Sequence, residues 1–595
     1  MAKKIVEVMD TTFRDGFQSV FGGRVLMNDF LPAVEAAKEA GIRHFEMGGG
    51  ARFQTLFFYL NENAFEMMDR FKEVAGPEAN LQTLARGISC IALDTVSSDI
   101  LDLHAKLFKK HGVTTIRNFD ALNDVDNLKA SSEFIIKHGL KHEVVITIMD
   151  LPPGCSGAHD VEFYEKILDK ILEKEIYFDS FCFKDASGTA NPQKVYETIK
   201  MARKKLPENT HLRLHTHETA GASVACYLAA LEAGADGIDL AVSPVSGGTS
   251  QPDFLTMWHA LKGKNFDLGF DPEKILSYEQ TLEECLHDYF IPPEAKAVSA
   301  LIPFSPMPGG ALTANTQMMR DNNMLDKYPE VIKEMREVVE KGGFGTSVTP
   351  VSQFYFQQAF NNVMFGKWKK IAEGYGRMVL GYFGKTPVQP DPEIVKIASE
   401  QLNLEPTDKN PLELANEDPN KSVEHAKRML KDAGVPVTDE NIFIAAICDV
   451  KGIEFLKGNG KVMVRKKSDM EKEQKAVAKA GELESYTVIV DGEKYSVQVM
   501  EGEGGDFEIK EVKKDSSSSK PSSSEGVKVE ASVPGSVFKI LAHEGQKVKE
   551  GEPVIILEAM KMEIEVNSPK DGVVKSINVN VGDTVESGQL LAVIE

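Results

Sequence analysis

Over its first 260 residues the chain repeats one unit eight times: a short apolar run followed by a longer amphipathic one. The apolar runs fall near residues 5–9, 44–47, 81–84, 114–118, 144–149, 178–183, 212–217 and 237–242. Between them lie helical patterns such as 31–40 and 222–233, several ended by a glycine where a left-handed residue closes a helix: Gly41, Gly112, Gly139 and Gly234. Eight strand–helix units in about 250 residues predict an α/β fold, a (β/α)8 TIM barrel spanning residues 1–264. A doubly wound open sheet is the alternative. No G-x-G-x-x-G follows the first strand to support a dinucleotide site.

Downstream the pattern changes three times. Residues 265–478 read as a helical extension, with an amphipathic stretch at 326–341 and a polar break at 389–392. Residues 484–512 form a small β module, in which Tyr486, Val488 and Val490 alternate up to Asp491-Gly492 and Tyr495, Val497 and Val499 alternate after it. Residues 513–531 carry two serine clusters around Pro521 and read as a flexible linker, with a span of roughly 25 Å for about 20 residues. Residues 532–595 hold an internal repeat: Gly535, Gly545 and Gly551 recur 37 positions on as Gly572, Gly582 and Gly588. Val537, Ile540, Val548 and Val554 recur as Val574, Ile577, Val585 and Leu591, which predicts a flattened β-sandwich built from two similar halves.

Charge and composition exclude several functions. With 68 basic and 90 acidic residues the chain carries −22, the wrong sign for coating nucleic acid or an anionic membrane. No apolar run approaches the roughly 18 residues of a membrane span, and Met1 leads straight into a strand-like run, so a cytoplasmic protein is expected. The six cysteines lie far apart without a C-x-x-C pair, so neither a disulfide framework nor a thiolate zinc site is expected.

Active sites of such barrels gather at the C-terminal ends of the strands. There the sequence places Asp10-Thr11-Thr12-Phe13-Arg14-Asp15-Gly16-Phe17-Gln18, then Arg86, Lys184-Asp185 and His215-Thr216-His217. Two histidines two apart on a strand face one side and can offer two imidazoles to one ion, with Asp15 as an oxygen donor. That set suits zinc, manganese or cobalt better than magnesium. Lys184 ends an aromatic-rich strand, where its ammonium would be desolvated unless it pairs with Asp185 or another carboxylate. Arg86 suits bidentate capture of a carboxylate equally as well as a salt bridge at the barrel rim.

Asp-Thr-Thr-Phe-Arg-Asp-Gly-Phe-Gln-Ser, Leu-Ala-Arg-Gly, Phe-Lys-Asp-Ala-Ser-Gly, Leu-His-Thr-His-Glu-Thr-Ala-Gly and Met-Pro-Gly-Gly together resemble the carboxyltransferase barrel of pyruvate carboxylase, oxaloacetate decarboxylase α-subunits and transcarboxylase. The resemblance implies that Asp15, His215 and His217 bind a divalent metal with an N-carbamylated Lys184. It implies further that Gln18 and Arg86 hold a 2-oxo acid, and that Thr313 relays a proton between substrate and biotin. Apart from the resemblance, Thr313 is a loop threonine after a Gly-Gly turn. The chain departs from the family pattern at Gly16-Phe17, at residues 48–54 and at Leu93, where a tyrosine is usual. Arg52, within the second of these, could give the mouth a second cation for a distal carboxylate such as that of 2-oxoglutarate; alternatively it pairs with an acid or faces solvent.

Glu558-Ala559-Met560-Lys561-Met562-Glu563 lies between the two repeat halves and places Lys561 at a hairpin tip. Ala-Met-Lys-Met resembles the attachment site of biotinyl domains, where a biotin protein ligase acylates the lysine. Lipoyl domains share the fold and usually lack the flanking methionines. The whole is expected to be a biotin-dependent carboxyltransferase fused to its carrier, moving a carboxyl group between carboxybiotin and a 2-oxo acid, most simply pyruvate. No phosphate-cradling stretch is present, so the ATP-dependent biotin carboxylase would be a separate subunit. An oxaloacetate decarboxylase working with membrane sodium-pump subunits, or a 2-oxoglutarate carboxylase large subunit, would share this barrel chemistry. An acyl-CoA lyase would share the metal motifs without needing biotin, and an inert scaffold would not need the full ligand set. A homo-oligomer is expected.

Overall fold

The computed structural model describes residues 3–470, 483–490, 493–500, 526–531, 535–559, 562–581, 583–585 and 588–595. The chain divides into two compact units, residues 1–317 with 327–465, and residues 318–326 with 466–595.

In the first unit, eight parallel strands close a barrel. They are β1 (Glu7–Asp10), β2 (His44–Gly49), β3 (Asn80–Ala85), β4 (Thr115–Phe119), β5 (Lys141–Thr147), β6 (Ser180–Asp185), β7 (His211–Thr216) and β8 (Gly237–Leu240). Each pairs with the next, and β8 returns to β1 with Asp239 beside Met9. The outer helices begin where the sequence supplies caps: Asn63, Asp124, Asp160, Asn191 and Asp253 each accept a first-turn backbone N–H. At Gly49 the backbone has φ +84°, and a Cβ there would lie 2.4 Å from Leu84 O, so only glycine lets β2 pass β3 this closely.

The barrel interior departs from the branched apolar filling usual in this architecture. Arg117 on β4 pairs with Glu143 of β5 at 2.5 Å and with Asp239 of β8. Arg213 on β7 reaches Glu7 of β1, Asp239 at 3.3 Å and Glu143 at 3.5 Å. All but Glu7 are fully buried, so these charges are held by one another.

Beyond the barrel the chain runs through helices Pro272–Leu286, Tyr328–Lys341, Val351–Phe365, Pro392–Leu402, Val423–Asp432 and Asp439–Leu456. The last packs on the barrel through an aromatic seam. Phe443 meets Phe53, Phe65 and Phe108 at ring separations of 5.7, 6.2 and 6.1 Å, and Phe455 meets Phe57 at 4.9 Å. Lys106 and Lys110 bind Asp439 and Glu440 at that helix's first turn. No helix among the described residues is long and apolar enough to cross a membrane.

In the second unit, Leu483–Val490 and Glu493–Met500 pair antiparallel. The carrier forms two four-stranded sheets. One joins Val527–Glu530, Leu590–Ile594, Gly572–Ile577 and Lys547–Val548; the other joins Met562–Asn567, Pro553–Ala559, Gly535–Ile540 and Thr584–Val585. The repeat halves exchange their short strands: Lys547–Val548 pairs in the second half's sheet and Thr584–Val585 in the first half's. Val537, Val554, Val574, Val585 and Leu591 fill the space between the sheets. Lys561 and most of the expected linker lie outside the described residues, and Ala559 pairs with Met562 on either side of Met560-Lys561.

His104 sits in the aromatic seam, 4.1 Å from the Phe108 ring and 5.7 Å from that of Phe443, and burial pushes its pKa down to about 3. The unfolded chain would take up that proton near pH 6.5, so stability is lost as pH falls from about 6.5 toward 3, by up to about 1.4 kcal/mol per unit. His104→Phe should flatten this part of the acid limb when urea midpoints are compared between pH 7 and pH 5.

Candidate active site

The C-terminal ends of the strands open on a narrow cavity of about 30 Å³, walled by Arg14, Asp15, Gln18, Arg86, Lys184 and His217. Leu84 and Phe119 add apolar wall, and Pro308, Gly310 and Ala311 close one side. Asp15 stands on a single π-helical turn, Thr12–Gly16, directly after β1. Such turns widen the backbone locally and recur at functional sites.

Three donors converge. His215 Nε2 lies 3.1 Å from His217 Nε2 and 3.2 Å from Asp15 Oδ2, and His217 Nε2 lies 3.3 Å from that oxygen. The far sides of the rings fix their tautomers. His215 Nδ1 donates to Asp239 Oδ2 at 2.8 Å and His217 Nδ1 donates to Thr249 O at 2.7 Å, so both Nε2 atoms present lone pairs inward. Two imidazole nitrogens and a carboxylate oxygen, buried and within 4.8 Å of one another, are a donor set that fits a divalent cation.

Electrostatics keep the set in ligand form. Burial alone would raise Asp15, but Arg14, His217 and Lys184 hold it well below the usual carboxylate range. Burial, reinforced by Lys184, lowers His215 and keeps it neutral. Lys184, opposite His215 across the β6–β7 register, places Nζ 2.6 Å from His215 Nε2 and 3.7 Å from Asp15 Oδ2. Burial lowers its pKa, and no Lys184–Asp185 pair forms. Asp185 instead accepts from Ser187 Oγ and from the N–H groups of Gly188 and Ala190.

Arg86 NH1 is fixed by the carbonyls of Ile91 at 2.7 Å and Ala92 at 3.0 Å, while its Nε is buried without a partner. Burial pulls its pKa down to about 10. Gln18 Oε1 is likewise buried and unpartnered, and Arg86 NH2 and Gln18 Oε1 both lie 3.6 Å from where a Cβ on Gly50 would stand. Two orphaned polar groups side by side in one cavity wall mark a place for a polar ligand.

Two expectations are corrected. Thr313 stands in the helix Gly309–Asp321 rather than in a loop, and its buried hydroxyl donates to Ser19 O at 2.6 Å. That helix start is pressed on the loop after β8, where a Cβ at Gly309 would fall 1.6 Å from Thr249 O. Arg52 supplies no cation to the mouth. Its guanidinium is fully buried against the Phe17 and Phe30 rings and donates to the carbonyls of Gly23, which also accepts the Val25 N–H at 3.0 Å, and of Val25. It is neither paired with an acid nor exposed.

Residue-by-residue reading of the sequence gave no role to Arg14, which pairs with Asp15 at 3.1 Å and Glu46 at 2.7 Å, and missed Asp239 and Gln251. A charged residue in mid-strand, such as Arg117 or Asp239, was the available signal. Gln251 carried none.

Residues 302–499 match the Conserved carboxylase domain family, 124–282 the HMGL-like family and 521–594 the Biotin-requiring enzyme family. The carboxyl transferase domain of Rhizobium etli pyruvate carboxylase, solved with pyruvate, superposes with TM-score 0.69 at 25% identity over 76% of each chain. The 2-oxoglutarate carboxylase large subunit of Hydrogenobacter thermophilus is 29% identical over 95% of this chain and 91% of its own. The pyruvate carboxylase B subunit of Methanothermobacter thermautotrophicus is 30% identical, and that of Methanocaldococcus jannaschii 31% identical, each over 94% of both chains. Since that likeness runs through barrel, extension and carrier in one order, this chain belongs to the pyruvate carboxylase B-subunit family of biotin-dependent carboxyltransferases.

Proposed function

We propose that this chain carboxylates pyruvate to oxaloacetate, with biotin attached at Lys561 and charged by a separate ATP-dependent biotin carboxylase subunit. The observation that carries the choice of acceptor is the cavity's cation inventory. Arg14 is spent on Asp15 and Glu46, Lys184 is turned to His215, and Arg52 lies outside the wall, which leaves Arg86, anchored only to backbone carbonyls, to receive one carboxylate. An acceptor with one carboxylate fits that inventory; a dicarboxylate would bring a second charge with no partner.

Arg86 takes the acceptor's carboxylate along its free edge, and the Gln18 carboxamide orients the 2-oxo group. Asp15, His215 and His217, with Lys184 beside them, would hold a divalent cation whose contribution when bound is Lewis-acid polarisation of that oxo group. The lowered pKa of Lys184 favours the free amine, the form that adds carbon dioxide to become a carbamate. Biotin, when bound, would supply the carboxyl group. The Thr313 hydroxyl would take on its oxygen the proton that the acceptor's methyl carbon gives up as it gains the carboxyl carbon, and would release its own proton to the nitrogen left behind.

The test is reconstitution. With a biotin carboxylase subunit, ATP and bicarbonate, the biotinylated chain should form oxaloacetate from pyruvate in a coupled reduction assay; preferential carboxylation of 2-oxoglutarate would refute the acceptor assignment. Lys561→Ala should abolish both streptavidin labelling and transfer. Arg86→Ala should raise KM for pyruvate about 10- to 100-fold through loss of a charge-assisted contact. Arg52→Met should leave the ratio of activities on the two acids unchanged and cost about 1–3 kcal/mol in urea unfolding, because the buried Val25 carbonyl loses its donor.

A further inference from the structure

Arg86 follows β3 and opens a loop that folds back on it. Its backbone N–H donates to Cys90 O at 2.6 Å, and its guanidinium NH1 donates to the carbonyls of Ile91 and Ala92. The Ala92 N–H donates to Ser89 O at 2.7 Å, so Ser89–Ala92 is a tight turn whose second residue, Cys90, has φ +41° and ψ −96°. Glycine normally takes that position in a type II′ turn, and a residue with a side chain is strained there. Such a residue keeps its conformation only where its surroundings hold it. The turn that seats the Arg86 side chain therefore needs a hold from outside.

The helical extension supplies that hold. Asp94, two residues past Ala92, pairs through Oδ2 with Arg377 NH1 at 2.9 Å and with Lys421 Nζ at 2.8 Å, while its Oδ1 accepts the Thr95 N–H at 2.7 Å. Arg377 lies in the helix Glu373–Val379, its guanidinium 5.4 Å from the Phe383 ring, and Lys421 leads into the helix Val423–Asp432. Lys421 Nζ also donates to Thr95 Oγ1 at 2.8 Å, and Ser97 Oγ donates back to Lys421 O at 2.6 Å. Within the loop the Val96 N–H donates to Ile88 O at 3.0 Å, which ties the clamped stretch to the turn. Burial alone would raise the Asp94 carboxyl, but Arg377 and Lys421 hold it below its ordinary value, so it stays charged.

We propose that Asp94 is a positioning residue for acceptor binding: through it, Arg377 and Lys421 of the extension hold the turn whose carbonyls aim Arg86. The proposal rests on the reading of Arg86 as the group that receives the acceptor's carboxylate. An exposed ion pair adds little to stability, but this carboxylate joins two cations from separate segments of the extension to one loop, and what the clamp supplies is orientation. A displacement of about 1 Å in a substrate-holding group can cost as much as about 100-fold in rate. Loosening the clamp weakens capture of the acceptor and leaves the chemical step alone, so it raises KM and spares kcat.

The test uses the biotinylated full-length chain in the reconstituted carboxylation assay. Asp94→Ala should raise KM for pyruvate about 3- to 10-fold with kcat within about twofold of native. Combining it with Arg377→Met and Lys421→Met removes the cations that Asp94→Ala leaves unpaired, and this triple variant should show the same rise. In an Arg86→Ala background Asp94→Ala should raise KM no further, whereas a general structural role would add its full effect there. The proposal is overturned if Asp94→Ala and the triple variant keep the native KM, if they lower kcat at unchanged KM, or if Asp94→Ala raises KM as much without Arg86 as with it. Arg86→Ala separates the two levels: if it leaves KM unchanged, the assignment of Arg86 is itself wrong, and the role of Asp94 falls with it.

Discussion

Asp239 is the point on which the barrel and its mouth both depend. Its two oxygens receive Arg117, Arg213 and the Nδ1–H of His215, with no solvent to help. Burial would by itself raise this carboxyl, but Arg117, His215 and Arg213 hold it far below the usual range. Removing one partner from such a buried group costs about 3–5 kcal/mol, so its members are held in place together. Arg117 extends the network to Glu143, and Glu143 to Gln82 and Ser180, so that β3 to β8 are cross-linked through their charged interior. The orientation of one imidazole at the mouth is thereby fixed by the same bonds that close the barrel. An apolar interior would close a barrel as well but could not aim His215.

The mouth also resolves the mismatch between an acidic chain and anionic reactants. The chain carries −22 overall, yet the cavity wall brings Arg14 and Arg86 beside the single carboxylate of Asp15. The acid excess lies elsewhere, on the surface, where it keeps the protein in solution. Inside, the charges divide their roles. Arg14 holds Asp15 ionised, Lys184 helps burial keep His215 neutral, and Arg86 retains an edge for a ligand.

The barrel was legible in the sequence because the alternation of buried strand and amphipathic helix is local, as were the paired histidines two apart in β7. Gln18, Arg86 and Lys184 were found because they follow strands, and position along a strand determines which end of a barrel a side chain reaches. Pattern did not show where the Arg52 and Thr313 side chains point: both stand in helices, and each is drawn to backbone carbonyls, of Gly23 and Val25 in one case and of Ser19 in the other. Whether a loop carbonyl needs a donor depends on the folded course of another segment, which pattern does not encode. Gln251 was invisible for a related reason: its neighbours Asp15 and His217 are 236 and 34 residues away.

The strand exchange in the biotinyl module makes its two halves interdependent. Gly535–Ile540 pairs with Thr584–Val585, and Val527–Glu530 with Leu590–Ile594. Neither half can close its own sheets, so the module folds as one cooperative unit, and a break between the halves would leave both sheets short of a strand.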